Sequence, residues 1–276
     1  MIAIAVAPST TMPWQLQLYQ KSLKKQQKIK LLLELLGPLE GQRCLLVTNG
    51  DNNGAMNLVL RQAGGDWSWA EMEEVGIPAM EALLDEPVAH ADSERLPFPD
   101  RAFDRVVVID VHEHLSSVSE LNQEIGRVLA AGGLAVVTTP NGALWLPVAL
   151  LKRLCGMHPR QYGHVVQGYT AAQLERMLQA VNLTPERRGA YSRFFTELAE
   201  FAINFGYVKI LARRKKGPPV PTGTIAPGSA DQLRAVNRTY HMYAMIYPFV
   251  RAFSRLDTLV PGRGGYAVAV AARKAA

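Results

Sequence analysis

After Gly41 the chain changes rhythm. Short runs rich in β-branched and apolar residues alternate with longer helical ones, the pattern of a parallel sheet covered by helices on both faces. Strands are predicted at residues 43–48, 66–71, 88–91, 104–110 and 134–139, with a sixth at 186–191. The last lies at 266–272, where YAVAVAA alternates after a flexible Pro261-Gly-Arg-Gly-Gly stretch. Helices are predicted to begin near Ala55, Ile77 and Val118. A further helix runs over 171–180, with Thr170 as its N-cap and Asn182 taking the left-handed exit usually filled by glycine.

Two regions stand outside this alternation. Residues 13–36 read as one amphipathic helix that starts at Pro13, ends at Gly37-Pro38 and carries Lys21, Lys24, Lys25, Lys28 and Lys30 on a solvated face. Between the last two strands, Phe194, Leu198, Phe201, Phe205 and Val208 form one helical stripe. Val236, Tyr240, Tyr243, Tyr247 and Val250 form a second, with a kink expected at Pro248. Three units follow: an N-terminal helical segment (1–40), an α/β domain (41–193 with 263–276) and a helical insertion or cap (194–262).

Composition narrows the function classes. Of 276 residues, 48% are hydrophobic and 20% charged, so the chain can bury a full core. Its apolar stretch at 144–151 is broken by Pro147, short of the roughly 18 residues a membrane span needs. The start at residues 2–7 is apolar but lacks a preceding basic region, so no signal peptide is expected. Two cysteines, Cys44 and Cys155, make no disulfide framework and fit a reducing, cytoplasmic setting. The net charge of +6 is carried by scattered residues, and nucleic acid is not expected as a partner.

The most specific stretch is Ala91-Asp-Ser-Glu-Arg-Leu-Pro-Phe-Pro-Asp-Arg-Ala-Phe-Asp-Arg-Val-Val107, followed by Glu124-Ile-Gly-Arg-Val-Leu-Ala-Ala-Gly-Gly133 and Thr139-Pro140-Asn141. Together these resemble the class I S-adenosylmethionine-dependent methyltransferases of the small-molecule type. The resemblance implies a Rossmann-like seven-stranded, mostly parallel sheet with helices on both faces and S-adenosylmethionine as cofactor, over which the inserted helices before the last strand are expected to form a cap on the acceptor pocket. It places Asp92, with Ser93 beside it, at the adenine amino group and Glu71 at the ribose hydroxyls. The glycine-rich loop departs from the family pattern. In Thr48-Asn49-Gly50-Asp51-Asn52-Asn53-Gly54 the outer glycines remain, Asn52 replaces the middle one and is expected to crowd the cofactor, Thr48 replaces the usual acid, and Asp51 can supply a carboxylate instead.

The exit of the fourth strand carries Asp110-Val-His112-Glu113-His114, similar to the E-x-x-E-H of quinone-precursor O-methyltransferases. This likeness makes Asp110, Glu113 and His114 candidates for a divalent cation, against a metal-free reading in which His112 takes a proton from the acceptor. His164, in Tyr162-Gly163-His164, is a second base candidate, and Asp110 would also face the cofactor. The expected acceptor is a small, hydrophobic hydroxyl compound. Arg213-Arg-Lys-Lys216 beside an apolar stripe suits peripheral contact with an anionic membrane. A nicotinamide oxidoreductase lacks its glycine loop and its tyrosine–lysine pair, whereas an inactive methyltransferase-fold binding or scaffold protein is compatible with the altered loop.

Overall fold

The computed structural model describes residues 12–50, 52–157, 163–206, 230–262 and 264–276, and of residues 230–240 the backbone alone. Asp51, Tyr162, Arg213 to Lys216 and the side chain of Tyr240, to which the sequence assigns roles, lie outside the described residues.

A seven-stranded sheet forms the centre, in the order β3-β2-β1-β4-β5-β7-β6. Its strands are β1 (Arg43–Thr48), β2 (Asp66–Glu71), β3 (Ala89–His90), β4 (Phe103–Ile109), β5 (Leu129–Pro140), β6 (Leu183–Tyr191) and β7 (Ala267–Lys274). The first five pair in parallel, and β7 runs antiparallel between β5 and β6. The Rossmann-like expectation holds, with this antiparallel pair as the exception to a parallel sheet.

Strand alternation splits the core in two. Cys44, Leu46, Val107, Ile109 and Val136 face one helical layer, while Leu45, Val47, Val106, Val108, Ala135 and Val137 face the other. The first layer holds α1 (Trp14–Gln20), α2 (Leu23–Leu36), α3 (Ala55–Gln62) and α4 (Ile77–Leu84); the second holds α5 (Ser119–Val128) and α7 (Ala171–Gln179). Thr170 caps α7 through a reciprocal capping box with Gln173, and Asn182 takes φ 60° after it, both as predicted.

The predicted single helix over 13–36 is two. Ser22 turns extended and accepts from the Lys25 N–H, so it starts α2 afresh after α1 ends at Gln20. The lysine face is not uniformly solvated either. Lys28 is 7% exposed, because α2 packs on β5, β6 and β7 and turns it toward the carboxyl end of the sheet.

The remaining helices are α6 (Pro147–Leu154), α8 (Phe194–Phe205) and α9 (Ala230–Ser254), the last containing Pro248. Phe201, Val148 and Met157 make a small separate cluster between α6 and α8. Tyr243 and Tyr247 fasten α9 to the N-terminal helices: Tyr243 donates to the Lys21 carbonyl at 2.5 Å, and Gln26 donates to the Tyr247 hydroxyl at 3.0 Å.

Candidate active site

The strand order reverses between β1 and β4, and in open α/β sheets ligands bind at the carboxyl ends beside such a reversal. A pocket of about 380 Å³ opens there, lined by Asn49, Met72, Glu73, Asp92, His114 and Gly163 among others. None of its lining residues comes from α8 or α9.

The loop after β1 makes one wall. Gly50 and Gly54 take positive φ, 69° and 87°, which lets the chain turn twice within five residues. Thr48, where an acid was expected from the family, donates to Glu71 Oε2 at 2.7 Å. The other oxygen of Glu71 accepts from the N–H groups of Gly50 at 2.7 Å and Glu73 at 3.0 Å. Glu71 is fully buried, and burial raises its pKa despite these bonds. Its carboxylate is therefore turned into the loop, one layer behind the pocket wall.

Asn52 behaves similarly. Its amide donates to Asn57 Oδ1 at 2.6 Å, its oxygen accepts from the Gly54 N–H at 3.2 Å, and it is 3% exposed. The side chain expected to crowd a ligand is folded back against α3, because a buried amide needs these partners.

Two carboxylates do face the pocket. Glu73, absent from the sequence-based candidates, lies over Gly50 so closely that a Cβ there would meet its carboxyl at 2.6 Å. Its signal was one of spacing, the second carboxylate after a strand end. Asp92 stands on the far wall beside Ser93, its Oδ1 accepting the Glu94 N–H at 2.9 Å.

The exit of β4 is a charged, largely buried place. Asp110 takes φ 50°, a conformation costly for a non-glycine residue, and is held by the Lys28 ammonium and by Thr138 Oγ1 at 2.7 Å. Burial opposes its charge, but Lys28 outweighs that and holds its pKa below the ordinary value. His112, the predicted base, is fully buried and directs Nε2 to Asn122 Oδ1 at 2.9 Å; burial lowers its pKa to about 4. It does not line the pocket, because the helical turn at His112–His114 points it back toward α5.

The two candidates that do converge are His114 and His164, whose rings meet edge to face at 4.8 Å. The Glu113 carbonyl accepts the N–H groups of Val165 and Val166, which folds the segment from Gly163 over His114. Glu113, His114 and His164 each offer a ligand atom, all within 4.8 Å of one another. Asp110 is not in this group, being taken by Lys28. The Glu113 carboxyl accepts from Thr139 Oγ1 at 3.1 Å, and burial with the nearby Asp110 charge pushes its pKa well up.

Residues 50–137 match the sequence profile of a methyltransferase domain. A protein of Mycolicibacterium smegmatis named as an S-adenosylmethionine-dependent methyltransferase is 38% identical over 60 residues, 22% of this chain and 23% of its own length. In this segment the chain is similar to S-adenosylmethionine-dependent methyltransferases. The matched segment thus spans about a quarter of that relative. Among solved structures, the geranyl diphosphate C-methyltransferase of Streptomyces coelicolor is 13% identical, with TM-score 0.54 over 91% of this chain and 77% of its own. A (4+2)-cyclase is 19% identical, with TM-score 0.53 over 90% and 80%. At these identities the likeness is one of fold. The pocket lining, with the carboxylates of Glu73 and Asp92, apolar Met72 and Leu115, and the Gly50 backbone under Glu73, offers the acceptors and apolar surface that S-adenosylmethionine would need.

Proposed function

We propose that the protein is a methyltransferase that uses S-adenosylmethionine to methylate a hydroxyl oxygen of a small, hydrophobic acceptor. The observation that carries this reading is the pocket at the β1–β4 reversal, with Glu73 and Asp92 on its walls and His114 at its edge. Glu73 would accept from the ribose hydroxyls, as only a carboxylate can take two donors at once, and Asp92 from the adenine amino group. When bound, the cofactor supplies an electrophilic methyl group.

The chain's own work is to orient the acceptor, exclude water and take a proton. His114 is the base in this reading, since its Nε2 is buried at the pocket edge with no hydrogen-bond partner among the described residues. His112 is left out of that role by its burial, and Asp110 serves as a charged neighbour fixed by Lys28. Leu115, beside His114 in the pocket lining, supports an apolar acceptor at that edge.

Calorimetry with S-adenosylhomocysteine and a labelled-methyl screen of cell extract test this together. Binding with transfer to an apolar hydroxyl compound is the expected result. Binding without transfer to any compound favours the binding-protein reading, for which Thr48 in place of the acid is the supporting observation. No binding at millimolar ligand overturns the proposal.

A further inference from the structure

Helix α9 has two unlike faces. One is bonded to the body: Tyr243 and Tyr247 reach the N-terminal helices, Phe253 packs edge to face on Phe195 with ring centroids 5.2 Å apart, and just beyond the helix Asp257 accepts the N–H groups of Phe195 and Thr196. The other face carries Met242, Met245, Ile246 and Phe249, at steps of three, one and three, so they form one stripe, with Phe253, packed on Phe195, at its edge and Leu256 just beyond the helix. Every one of them is exposed, Met245 to 69% and Phe249 to 76%. A soluble surface scatters single apolar residues but rarely aligns this many large ones along a helix.

The ionised side chains exposed on this segment have one sign. From residue 241 to 259 the exposed ionised side chains are Arg251 and Arg255, and the single acid, Asp257, is buried. On and before α6, Trp145 is 75% exposed and Leu154 85%, with Arg153 exposed between them in sequence order. A stripe of large apolar side chains on a segment whose exposed ionised groups are all cationic matches the chemistry of a lipid headgroup layer rather than that of a folded protein partner.

We infer that the outer face of α9 is a docking surface that holds the protein on an anionic bilayer. The helix would lie in the plane of the interface, its stripe among the acyl chains and its arginines at the phosphates. This shares with the proposed function the expectation of a hydrophobic acceptor, but it does not require methyl transfer.

The test is sedimentation of the full chain with vesicles of phosphatidylcholine and phosphatidylglycerol, against phosphatidylcholine alone, at low salt. The wild-type protein should pellet with the anionic vesicles. The double substitution Ile246→Ser, Phe249→Ser should lower that partitioning by about tenfold or more, and Arg251→Ser with Arg255→Ser should remove the preference for anionic lipid. Both sites are exposed, so circular dichroism and affinity for S-adenosylhomocysteine should stay as in the wild type. This keeps failure of docking distinct from failure of the cofactor reading. A wild-type protein that stays in the supernatant with both vesicles overturns the inference. So does undiminished pelleting of the Ile246→Ser, Phe249→Ser protein. Self-association in sedimentation velocity, lost in that variant and without vesicle binding, would assign the face to a second copy of the chain instead.

Discussion

Glu71 Oε1 accepts the Gly50 N–H at 2.7 Å, so the carboxylate that ends β2 fastens the loop that follows β1. The same residue accepts from Thr48, which means that the hydroxyl in the position of the family's acid works as a second tie on that loop. Glu73, two residues on, is left to face the pocket. The fastening and the ligand-facing roles are thereby divided between two carboxylates.

This division predicts different phenotypes. Glu73→Ala and Asp92→Ala should each weaken S-adenosylhomocysteine binding by the loss of a charge-assisted hydrogen bond, about 1.5 to 3 kcal/mol, with little change in melting temperature. Glu71→Ala should lower melting temperature and affinity together, since it removes the acceptor of two loop N–H groups and of the buried Thr48 hydroxyl. Calorimetry and thermal melts check both. Wild-type affinity in Glu73→Ala would return the ribose role to Glu71.

Replacing Asn52 by glycine removes its bonds to Asn57 and Gly54 and should cost about 1 kcal/mol of stability. Affinity for the cofactor should not improve. A tighter complex in Asn52→Gly would show that the side chain reaches the ligand after all.

With His114 as base, methyl transfer should persist in a chelator, and His114→Ala should reduce it by about a hundredfold or more while leaving cofactor affinity intact. Activity lost on chelation and restored by manganese or zinc would instead make Glu113, His114 and His164 a metal site, with the same atoms that now meet within 4.8 Å. His164→Ala then distinguishes the cases, because it should abolish metal rescue but only weaken metal-free catalysis.

The Glu197 carboxylate is 3% exposed and paired with Lys24 at 3.1 Å and with Lys152, and it accepts from Ser192 Oγ at 2.5 Å. Burial opposes its charge, but the two lysines prevail and hold its pKa well below the ordinary 4.5. A depressed carboxylate stabilises the fold above its unfolded pKa and loses that contribution as pH falls toward its folded one. Glu197→Gln leaves two lysines without their counter-ion and should cost about 3 kcal/mol near neutral pH. The deficit relative to wild type should shrink below about pH 4.5, measured by denaturant unfolding across the acid range. A pH-independent deficit would assign the loss to packing alone.

What the sequence by itself determined is what depends on neighbours along the chain. The positions of β1, β2, β4 and β7, the Thr170 cap and the left-handed exit at Asn182 follow from periodicity and turn chemistry, both local in range. The sequence also marked the right stretches for the site: the loop from Thr48, the β2 end, Asp92, and the run from Asp110 to His114. It could not assign the partners within them. Lys28 was one of five lysines on a helix face until α2 was laid across the sheet and brought it to Asp110, 82 residues away. Likewise His164 joins His114 only because the Glu113 carbonyl holds the returning segment, and Glu73 rather than Glu71 faces the pocket because Gly50 and Thr48 claim the other. Whether a charge points to water, to ligand or to a counter-ion is settled by which distant groups must be paired when it is buried, and only the tertiary structure decides that.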